Sequence, residues 1–169
     1  GGGVELTLNS LVAGLIVKGH TVDVVAPKNS KLFEVSKKAK LHFVEGKEQK
    51  SWQHQDYYSS VSIPDNSLLS GMIEKAIDIG KKADIILNLS YDWLPIWMTL
   101  NINIPIAHII SMGSESFVIS NLISKVYSKF PNNFAFHSKI QASDYPFIEN
   151  PIVIGNGFNL DNYIFQDCK

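Results

Sequence analysis

No arginine occurs among the fifteen cationic residues of this 169-residue sequence; every one is a lysine. That absence removes the planar guanidinium fork that grips carboxylates and phosphates through two parallel hydrogen bonds. Any phosphate taken up by this chain must therefore rest on backbone amides, hydroxyls or lysine ammonium groups. Cysteine is almost missing too: Cys168 stands alone, so no disulfide can form within the chain, and a cysteine-based zinc site is excluded. Charged residues make up only 18%, and a formal net charge of -1 supplies no whole-molecule field to attract nucleic acid or an anionic membrane. No apolar run reaches the roughly 18 residues that a membrane span needs. No charged start leads into an apolar core as in a secretory signal. Together these absences point to a cytoplasmic chain with no transmembrane segment and no nucleic-acid partner.

What is present is a globular composition, 45% hydrophobic and 11% aromatic, of a length that suits one domain. Val4, Leu8, Leu11, Val12, Leu15 and Ile16 fall on one face of a helix that Lys18-Gly19 closes. Residues 21–26 read as a buried strand ended by Pro27, and 40–44 as a second one. The stretch 45–66 is polar and aperiodic, carries Trp52, Tyr57 and Tyr58, and has a length expected of a functional or mobile loop. Beyond it, apolar spacing predicts a helix from Leu68 onwards, with Ser67 or Asn66 as its cap. Strands over 84–89 and 104–110 alternate with helices over 93–100 and 115–128, and weaker strands follow at 133–136 and 152–154 around a short helix near Lys139. Strands that are apolar on both faces and separated by helices predict an α/β fold: a Rossmann-like parallel sheet with helices on both faces.

Few residues carry a chemical signature. The opening Gly1-Gly2-Gly3 resembles a phosphate-cradling turn before a helix, although a cloning junction leaves the same sequence. It does not complete a dinucleotide fingerprint, because Leu6 stands where the third glycine belongs, and no Walker loop occurs. Asp92 follows a strand end beside Tyr91, Trp93 and Trp97, so its carboxylate could orient a flat, nitrogen-rich acceptor; it also fits the N-cap of the next helix. Trp52, Tyr57 and Tyr58 suit either a lid over an acceptor or anchors that fix their loop to the surface. The histidines are scattered without ligand spacing, so no metal site is expected, and His137-Ser138 lacks a nucleophile elbow.

Four segments, in order, resemble family-four retaining GT-B glycosyltransferases: Gly2-Gly3-Val4-Glu5, Ser90-Tyr91-Asp92-Trp93-Leu94-Pro95, Pro105-Ile106-Ala107-His108-Ile109-Ile110-Ser111-Met112-Gly113, and Ile154-Gly155-Asn156-Gly157-Phe158-Asn159-Leu160. The Ser111-Met112-Gly113-Ser114 stretch resembles in particular the cyanobacterial members that move glucose from UDP-glucose to tetrahydrobiopterin. The resemblance implies that residues 1–169 are the acceptor-side N-terminal domain of such an enzyme, with its first strand missing and its sheet open at one edge. It implies that the C-terminal, donor-binding domain is a partner lying outside this chain. It assigns Gly2, Gly3 and Ser111 to the donor diphosphate and sugar, and Asp92, Trp93, Tyr91, Trp52 and Glu5 to the acceptor. Asp92 and Ser111 would act in catalysis, with UDP-glucose as donor substrate and no metal or other cofactor. One departure is that Ser111 stands where many relatives carry histidine, while His108 falls on the opposite strand face. A second class of reading remains, a non-catalytic flavodoxin-like domain that binds a small molecule.

Overall fold

The computed structural model describes residues 3–30 and 39–157. In chain order these form α1 (Gly3–Val17), β1 (Asp23–Pro27), β2 (Lys40–Val44), α2 (Leu68–Gly80), β3 (Ile86–Asn88), α3 (Trp93–Met98), β4 (Ile106–Ile110), α4 (Phe117–Tyr127), β5 (Phe134–Phe136), α5 (Lys139–Ala142) and β6 (Ile152–Val153). The architecture is α/β, with parallel sheets flanked by helices in the Rossmann-like manner. No helix among the described residues is long and apolar enough to cross a membrane.

Local chemistry sets most boundaries. The side chains of Ser67, Asp92, Ser116 and Ser138 each accept a hydrogen bond from a backbone amide in the first turn of α2, α3, α4 and α5. A cap of this kind contributes about 1 kcal/mol by pairing an amide that the helix leaves free. At its far end α1 stops where Gly19 takes φ +86°, and His20 N reaches back to Leu15 O at 3.0 Å. Glycine alone enters that left-handed region without strain.

The strands do not form the single sheet that the sequence predicts. β1 pairs with β2, and β3, β4, β5 and β6 form a second sheet in that order, every pairing being parallel. No described strand bonds both β1 and β3, so no ladder carries hydrogen bonds from one sheet to the other. β4 lies inside the larger sheet, and four of its five residues are buried, as expected for a strand covered on both faces.

Two cores match the two sheets. The larger packs Ile96, Ile110, Ile119, Ile123 and Val126 against Phe134, Phe136 and Tyr145. Each such aliphatic side chain contributes about 1.5–3 kcal/mol through burial. The smaller holds Val12 of α1 against Val24 and Ala26 of β1. The loop over 45–66 is tied down: Trp52, in a 3-10 turn, is buried in the larger core, and Lys47 bridges to Ser67 at the loop's end.

Candidate functional site

Because β3, β4 and β5 run parallel, their carboxyl ends share one edge, where open α/β sheets bind ligands. The turns leaving that edge lead to Tyr91, Asp92 and Trp93 after β3 and to Ser111 after β4. After β3 the chain reaches Asp92, whose Oδ1 accepts from Trp93 N at 2.7 Å as the cap of α3. Its Oδ2 lies 3.4 Å from Trp52 Nε1, which donates to it across 40 residues of sequence. Burial raises the Asp92 carboxyl above its ordinary value, and hydrogen bonds from the Trp93 amide, the Trp52 indole and the Leu94 amide offset part of that rise. The result is a half-buried carboxylate with one partner on each oxygen and a raised proton affinity, whose remaining lone pairs are suited to accept a hydrogen bond from a substrate N–H or O–H.

The aromatic neighbours divide. Trp52 is only 5% exposed, so it meets the site through its indole edge and offers no open ring face. Trp93 packs partly against the larger core, and its buried indole nitrogen has no partner among the described residues. Tyr57 and Tyr58 pack on Phe117, and Tyr57 O accepts from Phe117 N at 2.9 Å, an anchoring arrangement on α4.

Tyr91 joins the β3 and β4 turns. Its hydroxyl accepts from Glu115 N at 3.2 Å and lies within hydrogen-bonding reach of the Tyr145 hydroxyl. Tyr145 is fully buried and donates towards Gly113 O at 2.9 Å and Met112 O at 3.2 Å. Burial first, and then Tyr91 and the carboxylates of Asp144 and Glu115, push its pKa far above the ordinary tyrosine value, so it stays a donor. Gln141 Nε2 donates to Ile110 O at 2.7 Å and to Met112 O at 3.2 Å. The carbonyls of the turn after β4 are thus held by side chains from the segment after β5. Sequence reasoning did not single out Tyr145 or Gln141, and no local pattern marks them.

Ser111 lies at the end of β4 in a crevice lined by Val4, Thr7, Leu89, Ile109 and His137, too narrow here to hold a water molecule. Val4 and Thr7, in the first turns of α1, therefore stand next to Ser111. Gly2 lies outside the described residues, as do Phe158, Asn159 and Leu160 of the last resembling segment. Glu5 is exposed in the same helical turn. His137 Nδ1 lies 3.0 Å from Gly155 O, which can only accept, so that nitrogen carries a proton. Among the described residues no group of three or more His, Cys, Asp or Glu side chains could hold a metal ion.

His108 is fully buried within β4, on Phe134 and away from the crevice, and burial lowers its pKa to about 4. It is therefore neutral at physiological pH. No protein-family model matches the chain, and none of the curated proteins compared with it matches either.

Proposed function

We propose that this chain is the acceptor-side domain of a family-four retaining GT-B glycosyltransferase that moves a hexose, glucose from UDP-glucose, to a small flat acceptor such as tetrahydrobiopterin. The observation that carries the reading is Asp92: a half-buried carboxylate at the carboxyl end of a parallel strand, held by the Trp52 indole beside Tyr91 and Trp93. A pterin presents ring N–H groups that such a carboxylate can accept and a π-face that the nearby aromatics can meet. In the proposed transfer the acceptor hydroxyl oxygen bonds the anomeric carbon while the bond from that carbon to the UDP phosphate oxygen breaks. The hydroxyl proton passes to the departing diphosphate. Ser111 would take a hydrogen bond from the sugar, and the amides around Gly2 and Gly3 would approach the diphosphate at the positive end of the 15-residue α1. With no arginine in the chain, most of the diphosphate charge would fall to a second, donor-binding domain.

The test is tryptophan fluorescence of the chain titrated separately with a reduced pterin and with UDP-glucose. Saturable quenching by the pterin, with little response to the nucleotide sugar, is expected. Tight UDP-glucose binding without a pterin response would overturn this division of roles and favour the flavodoxin-like binding domain.

A further inference from the structure

His108 makes polar contacts whose directions can be worked out atom by atom. The Ser90 backbone N–H can only donate, and it meets Asn88 Oδ1 at 3.2 Å; the Ser90 carbonyl can only accept, and it meets Asn88 Nδ2 at 3.0 Å. These two bonds fix which way the Asn88 amide points, and the Ser90 hydroxyl donating to Oδ1 at 2.8 Å agrees with them. Asn88 Nδ2 is then also the donor to His108 Nδ1, 3.1 Å away. With Nδ1 accepting, the imidazole proton sits on Nε2 and is donated to Thr99 Oγ1 at 2.8 Å. The Thr99 hydroxyl hydrogen is left for Pro95 O at 3.3 Å.

Each of these contacts has a place in the fold. Asn88 ends β3, Ser90 opens the turn to Asp92, Asp92 caps α3, and Thr99 is the C-cap of the same helix. α3 has six residues, too few for a helix to hold its own shape in water. One buried ring therefore ties the chain before α3 to the chain after it. The ring is itself fixed by stacking on Phe134, at a centroid distance of 4.9 Å and an interplanar angle of 24°.

We propose that His108 is a positioning residue for the Tyr91–Asp92 turn, a neutral Nε2-protonated imidazole that staples Ser90, through Asn88, to the far end of α3 through Thr99. Its meaning for function rests on the reading of that turn as the acceptor site. The staple itself holds whatever the turn binds. A phenylalanine at 108 would fill much of the same space but would leave the Asn88 amide and the Thr99 hydroxyl unpaired in the interior.

The experiment uses isotope-labelled chain and three forms: wild type, Thr99→Val, which keeps the shape and removes the acceptor, and Thr99→Ser, which restores it. Nitrogen chemical shifts of the imidazole report the tautomer, and amide hydrogen exchange reports local opening. The wild type should show His108 neutral with its proton on Nε2. Thr99→Val should speed exchange at the Ser90 amide about tenfold, the effect of losing one buried hydrogen bond, while Ile110 and Val126 amides in the same core keep their rates. Thr99→Ser should return Ser90 to the wild-type rate. An Nδ1-protonated ring, an unchanged Ser90 amide, or equal acceleration at Ser90, Ile110 and Val126 would each overturn the staple. The same three forms are titrated with a reduced pterin, and quenching should weaken in Thr99→Val and recover in Thr99→Ser. If Ser90 responds as expected but no form binds the pterin, the staple stands and the acceptor reading of the turn falls.

Discussion

Acid should weaken this fold in a way traceable to one side chain. An unfolded histidine takes up its proton below about pH 6.5, whereas the His108 ring, kept dry inside β4, resists until about pH 4. Throughout that window the unfolded chain binds more protons than the folded one, so stability falls as pH drops through it. For that shift the loss amounts to about 1.4 kcal/mol at pH 5.5 and about 2.5 kcal/mol at pH 4.5, set against a stability typically 5–15 kcal/mol for a domain. Phe134, Asn88 and Thr99 surround the ring without charge, so no ion pair compensates. Asp92 works in the opposite sense: its carboxyl, raised by burial, destabilises the fold once ionised, and that cost is relieved as pH falls through its elevated value. The two contributions separate by substitution. Urea unfolding followed by tryptophan fluorescence would be measured at pH 7, 5.5 and 4.5 for the wild type and for His108→Gln. The variant should start less stable and lose about 2 kcal/mol less between the extremes. Parallel losses in the two proteins would refute the argument, because His108 would then be protonated alike in both states.

Other outcomes follow from packing and capping. Gly46→Ala should destabilise by about 1–3 kcal/mol, because its new Cβ would meet the backbone of Leu68, with N at 2.6 Å and Cα at 2.7 Å, which cannot move aside. Gly113→Ala should cost under about 0.5 kcal/mol, because its Cβ meets the carboxylate of the exposed Asp144, which can swing into solvent; equal thermal shifts for the two variants would contradict this contrast. Asp92→Asn should keep the cap of α3, since asparagine also caps helices, and by removing the buried charge should not lower the melting temperature at pH 7, while weakening pterin quenching at least about tenfold; Asp92→Ala should be about 1 kcal/mol less stable than Asp92→Asn in urea unfolding. Ile123→Ala, at a fully buried position of α4, should lose about 2–5 kcal/mol by calorimetry.

Features encoded within a few residues were readable from the sequence. Ser67 and Asp92 cap the helices their positions suggest, and β2 runs from Lys40 to Val44 as its apolar pattern predicts. The reading faltered where contacts span long stretches. Trp52 sits in a polar, aperiodic segment, so nothing nearby signals that its ring enters a core built 40 and more residues later. Tyr145 and Gln141 act on carbonyls about thirty residues upstream, at Met112 and Ile110. Strand partners are likewise non-local: the number of strands was readable, but not their division into two ladders. For the site, the Asp92 neighbourhood was visible because a carboxylate flanked by aromatics stands out in the sequence. The His108 network was not, because a buried strand histidine looks the same whether it fills space or directs hydrogen bonds.

The division into two ladders bears on how the molecule can be watched as it unfolds. Trp52 and Trp93 belong to the larger core, and Trp97 lies on α3, which packs against α4 beside that core. Among the described residues the smaller core holds Val12, Val24 and Ala26 with their half-buried neighbours and contains no tryptophan. A unit that small shares no described ladder with its neighbour and is held to it by side-chain packing, of α2 on β1 and β2 and of α1 beside Ser111, so it should open first. Intrinsic fluorescence would pass over that event in silence, while far-ultraviolet circular dichroism would register the loss of the 15-residue α1. Transitions from the two signals should therefore separate, the dichroism moving at lower denaturant, and a single-probe curve would describe the four-stranded half alone.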